Sequence, residues 1–324
     1  MSHRSLGTHD DALPYVFSPE TGSDALTSFC EKNERKITEK LYCHAAVLFR
    51  GFQIFDQTTF EGVANVLSQG LVAEGGEHQR LSDDSQVYTP VAYPASQFLM
   101  WHNEDSFNPM WPKKIMFCPV QVPGKGGETP LVDSRELYQR LPEPLRAPFE
   151  EKGVIYHRTY GMGVGRSWQD IFATSDPAEV EAFCRSQGIE FEWRDEALIT
   201  RQRRPAVARH HTTGEMVWFA QLQHWHPACL DPVTRESLEL LYDPDELPRN
   251  AFYGDGSEIE DETMEAICDA YRELHSEFPW QVGDVMVVDN MLAAHARNPY
   301  EGPRKLLVAL GELTGDYHLE PALA

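Results

Sequence analysis

The hydrophobic pattern switches repeatedly between the two-residue period of strands and the longer period of helices. Residues 44–52, HAAVLFRGF, read as a short buried strand ending in a glycine turn, and residues 57–70, QTTFEGVANVLSQG, as an amphipathic helix closed by Gly70. Between 85 and 132 the texture is β-like, because SQVYTPVAYP, QFLMWHNEDSF and KKIMFCPVQVP are aromatic and β-branched runs broken by prolines. GKGGETP then leads into a helical stretch starting near Ser134. A further helix is expected at about 176–187, opened by Asp-Pro and stopped by glycine. ARHHTTGEMVWFAQ carries a hairpin signal around Thr-Thr-Gly-Glu. Residues 259–277 give the clearest helix, with Met264, Ile267, Cys268, Tyr271 and Leu274 on one core-facing stripe. Apolar runs at 284–290 and 304–313 predict two closing strands.

Many short strands, two helix-rich stretches and no Gly-rich phosphate loop argue against a doubly wound nucleotide fold. The expected class is mainly β with helical insertions (α+β), on a double-stranded β-helix or jelly-roll core. A single domain spanning 1–324 is expected, with a helix-rich insertion at roughly 134–200 and a further helical segment at roughly 232–277.

Composition changes the picture by exclusion. With 28 Lys+Arg against 51 Asp+Glu the formal charge is −23, a field that repels phosphate backbones and anionic lipid. No nucleic-acid or membrane partner is therefore expected; a small-molecule substrate is, and a homo-oligomer is left open. Six cysteines without a C-x-x-C pair, and an N-terminus lacking a basic-then-apolar signal, predict reduced thiols in a cytoplasmic protein.

Thirteen histidines invite a search for metal ligands. A His-x-Asp/Glu tripeptide arises by chance about twice in this composition, so the four present carry nothing by themselves. Context separates them. His9, His275 and His318 read as solvated residues in a tail, at a helix end and beyond the last strand. His102 instead continues a strand-like run in which Phe98, Met100, His102 and Glu104 share one side. Taken alone, that pattern favours a core or hydrogen-bonded histidine slightly over a ligand. His295, after an apolar strand and the Asp289-Asn290 turn, shifts the balance, because two imidazoles and one carboxylate make a facial triad that leaves positions open on Fe(II). Arg304, nine residues on, offers a planar guanidinium for a carboxylate. Strand alternation puts Arg304 and Lys305 on opposite faces, so one of them is expected to enter the site. His224 and His226 alternate as if on one strand face, without a third ligand of matching context, and His210-His211 read as surface.

HNEDSF, Trp111-Pro112, GGETPLVDSREL from Gly126, TGEMVWFAQ from Thr213 and DNMLAAHARNPYEGPRKLLVAL from Asp289 together resemble the taurine dioxygenase-like Fe(II)/2-oxoglutarate-dependent oxygenases, in the branch typified by the syringomycin-biosynthesis aspartyl hydroxylase. The likeness runs in order from about Val47 to Glu312. It implies His102, Glu104 and His295 as iron ligands, and Thr129 and Arg304 as holders of the far carboxylate of 2-oxoglutarate. It implies Fe(II) as the cofactor, 2-oxoglutarate and O2 as co-substrates, and hydroxylation of an unactivated aliphatic C–H. Retention of Glu104 favours hydroxylation over halogenation, which needs that coordination position. Tyr156, Arg158 and Gln221 fall in segments that border the substrate pocket of such enzymes. Relatives commonly carry Asn-Gln where this chain has Ala220-Gln221, a departure that bears on substrate rather than on iron.

The branch implies an amino-acid-like or peptide-derived small molecule in natural-product biosynthesis, free or carrier-protein-bound. The charge of −23 leans towards a free one, because carrier domains are themselves acidic. A sulfonate or phosphonate oxygenase of nutrient scavenging is the alternative and predicts additional cations in the pocket. A non-catalytic jelly-roll binding protein is the remoter one.

Overall fold

A computed structural model describes residues 5–19, 25–73, 79–82, 84–161 and 163–315. His318 lies outside them. The strand Val285–Asp289 shows what organises the fold: its side chains alternate in direction, yet every residue is buried. Such a strand is covered on both faces. It lies inside an eight-stranded sheet ordered Ser5–Gly7, Ala12–Phe17, Ala46–Phe49, Val285–Asp289, Trp111–Gln121, Lys305–Thr314, Tyr88–Thr89, Gln79–Arg80.

On one side of this sheet Val47, Phe49, Met116, Val287 and Leu307 pack with Leu41 and Phe60 of two helices, Leu26–His44 and Gln57–Leu67. On the other, Met286, Val288, Phe117, Leu306 and Val308 meet Leu131 and Ala293. These belong to a three-stranded sheet of Leu99–His102, Ala293–Arg297 and Leu131–Asp133. The two sheets enclose the core of a jelly roll, and the fold is mainly β with eight α-helices among the described residues.

Several elements form where the pattern puts them. The helix Gln57–Leu67 is capped by Asp56, whose carboxylate accepts the Thr59 N–H, and it ends at Ser68, two residues before Gly70. Asp261–Leu274 buries Met264, Ile267, Cys268 and Tyr271 as expected. Val207–Arg209 and Met216–Trp218 form the expected hairpin. The long helix Leu26–His44 is absent from the sequence expectation. It is rich in charge, buries few side chains, and leaves helical geometry at Asn33 (φ −118°, ψ 15°), which blurs its period.

The segment 134–200 differs from the helix-rich insertion expected. It holds the helices Ser134–Arg140, Glu143–Lys152, Trp168–Phe172 and Pro177–Ser186, but also much of a second antiparallel sheet. That sheet is ordered Glu190–Arg194, Ala197–Arg204, Val154–Tyr160, Arg249–Tyr253. Its last strand comes from the second, supposedly helical segment, because only a strand can complete the hydrogen bonds of Val154–Tyr160.

His157 in this sheet is fully buried, its Nε2 within 3.1 Å of Thr159 Oγ1. Burial, reinforced by the Arg201 charge, pushes its pKa from 6.5 down to about 4. Between those values the unfolded chain binds the proton that the folded chain refuses, so this contribution to stability is complete above pH 6.5 and is lost as pH falls towards 4. Denaturant unfolding of the metal-free protein at pH 7 and pH 5 is expected to show the loss, and His157→Gln to reduce it. An unchanged pH dependence in that variant would remove His157 as its source.

Candidate active site

Antiparallel register creates the site. His295 on Ala293–Arg297 is the direct cross-strand partner of His102 on Leu99–His102, although 193 positions separate them in the chain. Their rings approach to 4.3 Å between centroids. The strand ends at His102, so Glu104 does not share a strand face with it; Glu104 lies in the turn that follows. The alternation argument is corrected there: a separate residue places the carboxylate. Asn290 accepts the Glu104 N–H at 2.7 Å through Oδ1 and donates to the Glu104 carbonyl at 2.8 Å and the Pro112 carbonyl at 2.9 Å through Nδ2. Its own carbonyl accepts from Asn103 Nδ2.

Glu104 Oε2 then stands 4.0 Å from His102 Nε2 and 3.9 Å from His295 Nε2. The three ligand atoms all lie within 4.8 Å of one another, within reach of one ion. His102 Nδ1 donates to the Met100 carbonyl at 2.9 Å, which fixes the tautomer and leaves Nε2 with its lone pair towards the centre. Two imidazoles and one carboxylate suit non-haem Fe(II).

Removing the Asn290 clamp tests this construction. Asn290→Ala is expected to weaken iron affinity by roughly 10–100-fold, the range for lost supporting contacts around a metal. Iron content after desalting reads the effect, and unaltered retention would show that Glu104 holds its place without Asn290.

The donors border a cavity of about 750 Å³. Arg304 enters it from just before the strand Lys305–Thr314, not from within that strand. Lys305 also borders the cavity but is exposed, so burial rather than strand phase distinguishes the two. Arg304 lies over the Tyr300 ring at 5.4 Å and makes no ion pair among the described residues. Desolvation, with the neighbouring Arg297 charge, pushes its pKa down to about 10. A desolvated cation facing another cation is a strong acceptor site for an anionic ligand.

Gly127 makes room for that guanidinium. It has φ +78°, and a Cβ there would come 3.3 Å from Arg304 Cδ and Nε and 2.8 Å from Pro123 Cγ. Thr129, buried beside it, accepts the Trp280 indole N–H at 3.1 Å, so its own hydroxyl hydrogen is left to donate. It does not cap the following helix; Asp133 does. Arg304 and Thr129 thus offer a guanidinium fork and a hydroxyl, a fit for the far carboxylate of 2-oxoglutarate.

The family described as Taurine catabolism dioxygenase TauD, TfdA family matches residues 9–310. The chain belongs to that family. As a TauD/TfdA enzyme it is an Fe(II)- and 2-oxoglutarate-dependent dioxygenase, with O2 as second co-substrate. It is 38% identical over 276 residues to the dapdiamide synthesis protein DdaC of Enterobacter agglomerans, covering 85% of this chain and 84% of that protein. It is 28% identical to a clavaminate synthase-like protein of Arabidopsis thaliana, over 92% of this chain and 93% of that one. Among solved structures, a taurine dioxygenase from Burkholderia xenovorans superposes with TM-score 0.52 at 17% identity, covering 89% of this chain and 83% of its own. PvcB from Pseudomonas aeruginosa superposes with TM-score 0.54 at 13% identity, covering 92% and 86%. These two superpositions show the shared fold.

Around this TauD/TfdA centre the remaining residues sort clearly. Arg158 and Gln221 line the cavity. Tyr156 does not: it is fully buried behind the wall, where its hydroxyl accepts the Gln221 N–H at 3.1 Å. Its role is to position Gln221, a correction to its expected place at the substrate.

His224 and His226 lie in two short 3₁₀ turns, Leu222–His224 and Pro227–Cys229 and the residue before it, not on a strand. His224 lines the cavity and donates through Nε2 to the Met100 carbonyl, the same acceptor His102 uses. Burial pushes its pKa down to about 3, so the imidazole beside the metal donors is neutral. His226 caps the second turn through Ala228 N–H.

His210 is buried rather than on the surface. Its Nε2 lies 3.2 Å from Asp289 Oδ2, while Asp289 Oδ1 accepts the N–H groups of Met291 and Leu292. The Asp289-Asn290 turn is therefore held by His210 on one side and holds Glu104 on the other. Sequence reasoning missed Asn290 because an asparagine in a turn has a sufficient local explanation.

Proposed function

We propose that this enzyme hydroxylates an unactivated aliphatic C–H of an amino-acid-like or peptide-derived small molecule in natural-product biosynthesis, with His102, Glu104 and His295 as iron ligands and Thr129 and Arg304 holding 2-oxoglutarate. The carrying observation is the convergence of those three donors beside a desolvated Arg304 that has no carboxylate of its own among the described residues. The likeness to a dapdiamide synthesis protein supports the biosynthetic setting. A free substrate accords with a surface of charge −23, which repels acidic carrier domains. A reducing, cytoplasmic setting accords with cysteines that are free thiols.

Bound iron with 2-oxoglutarate and O2 supplies the oxidant that removes hydrogen from the substrate carbon, leaving succinate and carbon dioxide. The chain's own residues do the positioning. His102, Glu104 and His295 would hold the ion through three protein donors, leaving coordination positions for the co-substrates. Arg304 and Thr129 would hold the far carboxylate of 2-oxoglutarate. Ile115, Phe117, Leu306 and Val308 form an apolar wall of the cavity that keeps water from the centre.

The test is the weak visible charge-transfer band on anaerobic addition of Fe(II) and 2-oxoglutarate. The band is expected, and its absence from protein of confirmed iron content would overturn the reading.

A further inference from the structure

The cavity reverses the sign of the protein around it. Within a chain of charge −23, the described residues that line it include Arg158, Arg249, Arg297, Arg304 and Lys305 against two carboxylates, Glu104 and Asp105. The cations form two groups. Arg304 is assigned to 2-oxoglutarate, and Arg297 beside it is engaged by the carbonyls of Tyr93, Pro94 and Gln97. Arg158 and Arg249 stand apart from these, on the sheet that contains Val154–Tyr160 and Arg249–Tyr253.

Arg158 and Arg249 are direct cross-strand partners. Two guanidiniums set opposite one another on the cavity wall concentrate positive charge at one place, a setting that suits an anionic ligand. Each rests on an aromatic face, Arg158 over Tyr160 at 4.7 Å and Arg249 over Trp225 at 5.3 Å, which limits their rotamers and preorganises the pair. Arg249 is exposed and Arg158 half-buried, so the pair runs from the rim inwards.

An independent observation points to the same ligand. Gln221 is 4% exposed and lines the cavity, yet its side-chain Nε2 has no hydrogen-bond partner among the described residues. Its backbone is fixed by Tyr156, as described above. A buried amide donor without an acceptor is costly unless a ligand supplies one.

We propose that Arg158 and Arg249 form a fork for a carboxylate of the substrate, with the Gln221 amide as a further donor, so that the enzyme selects carboxylate-bearing amino-acid-like molecules. This rests on the oxygenase reading above and adds the recognition element that reading lacks. The planar guanidinium matches a carboxylate by two parallel N–H···O bonds, which an amide or an ester cannot reproduce with the same charge. Against an acidic exterior that repels anions, such a fork also explains how an anionic substrate is retained.

The test uses the full chain loaded anaerobically with Fe(II) and 2-oxoglutarate. The probes are the proteinogenic L-amino acids, their N-acetyl derivatives, the matched primary amides and small aminosulfonates. Binding is read as a shift of the visible band. At least one carboxylate is expected to shift it, with the matched amide weaker by about tenfold or more, the scale of a lost charge-assisted contact. R249Q and R158Q are each expected to weaken the carboxylate by a similar factor while the dissociation constant for 2-oxoglutarate stays unchanged. Arg249, being exposed, is the substitution that least disturbs the fold, and unchanged 2-oxoglutarate binding certifies each variant. No response to any carboxylate, equal binding of carboxylate and amide, or unaltered affinity in both variants would overturn the proposal. A sulfonate that binds more tightly than every carboxylate would overturn the carboxylate assignment and give the fork to sulfonates. Failure of the oxygenase reading looks different: the band itself is missing before any probe is added.

Discussion

Replacing His295 by Ala is expected to abolish iron retention and 2-oxoglutarate decarboxylation while leaving the fold in place. In the proposed site His102 and Glu104 come from one short stretch and His295, on the neighbouring strand, is the third donor within reach of the same ion. The backbone pairs of Ala293–Arg297 with Leu99–His102 and Leu131–Asp133 do not depend on the imidazole, and Ala294 and Ala296 already flank it in the same strand. Metal analysis after desalting, succinate formation and a thermal melt together separate the two effects. Iron and turnover near the normal level would remove His295 from the metal site.

The second large effect belongs to Arg304. Exchange for Gln is expected to weaken 2-oxoglutarate by roughly 30-fold or more, because truncating one member of a desolvated charge pair costs about 2–5 kcal/mol. Iron retention stays normal, since no metal donor is touched. The protein without 2-oxoglutarate is expected to melt no lower than the parent: the substitution removes a guanidinium already disfavoured by burial and by Arg297. The rise in melting temperature that 2-oxoglutarate gives the parent should vanish at the same concentration. Should Lys305→Gln weaken 2-oxoglutarate while Arg304→Gln does not, the assignment of the fork would pass to Lys305.

Both residues belong to a set that is legible in the sequence as candidates. His102, Glu104, His295, Thr129 and Arg304 lie in blocks whose order resembles that of a known family, and their chemistry narrows the role of each. The reasons offered from local pattern fared differently. Alternation along a strand put Glu104 beside His102, whereas the strand stops at His102 and Asn290 places the carboxylate. Alternation likewise separated Arg304 from Lys305, whereas the strand starts at Lys305 and burial separates them. The structure brings His102, Glu104 and His295 together and lines the same cavity with Thr129 and Arg304, by a local geometry other than strand alternation.

Tyr156 and Arg249 mark the other limit. A tyrosine and an arginine two residues apart, Tyr156 and Arg158, share one face of their strand and look equally suited to a pocket, yet Phe107 and Trp225 pack over Tyr156 while Arg158 reaches the cavity. Arg249 has no distinguishing neighbourhood in the sequence. It joins the site because its strand pairs with Val154–Tyr160 across some ninety residues of chain, and that register is set by long-range hydrogen bonding. His210 reads as surface for the same reason, since its partner Asp289 is 79 residues away.

By itself, then, the sequence determined the elements whose period is strong: the core-facing helix Asp261–Leu274, the hairpin around Thr213, the apolar strands Val285–Asp289 and Lys305–Thr314, and the types of side chain that chemistry at iron requires. Those properties are local, repeating every two or every three to four residues. Only the tertiary structure decided which of thirteen histidines meet, that Asn290 carries Glu104, and that two arginines from separate segments face the same cavity. Strand register and buried polar contacts act between residues far apart in the chain, and no local pattern encodes the distance they span.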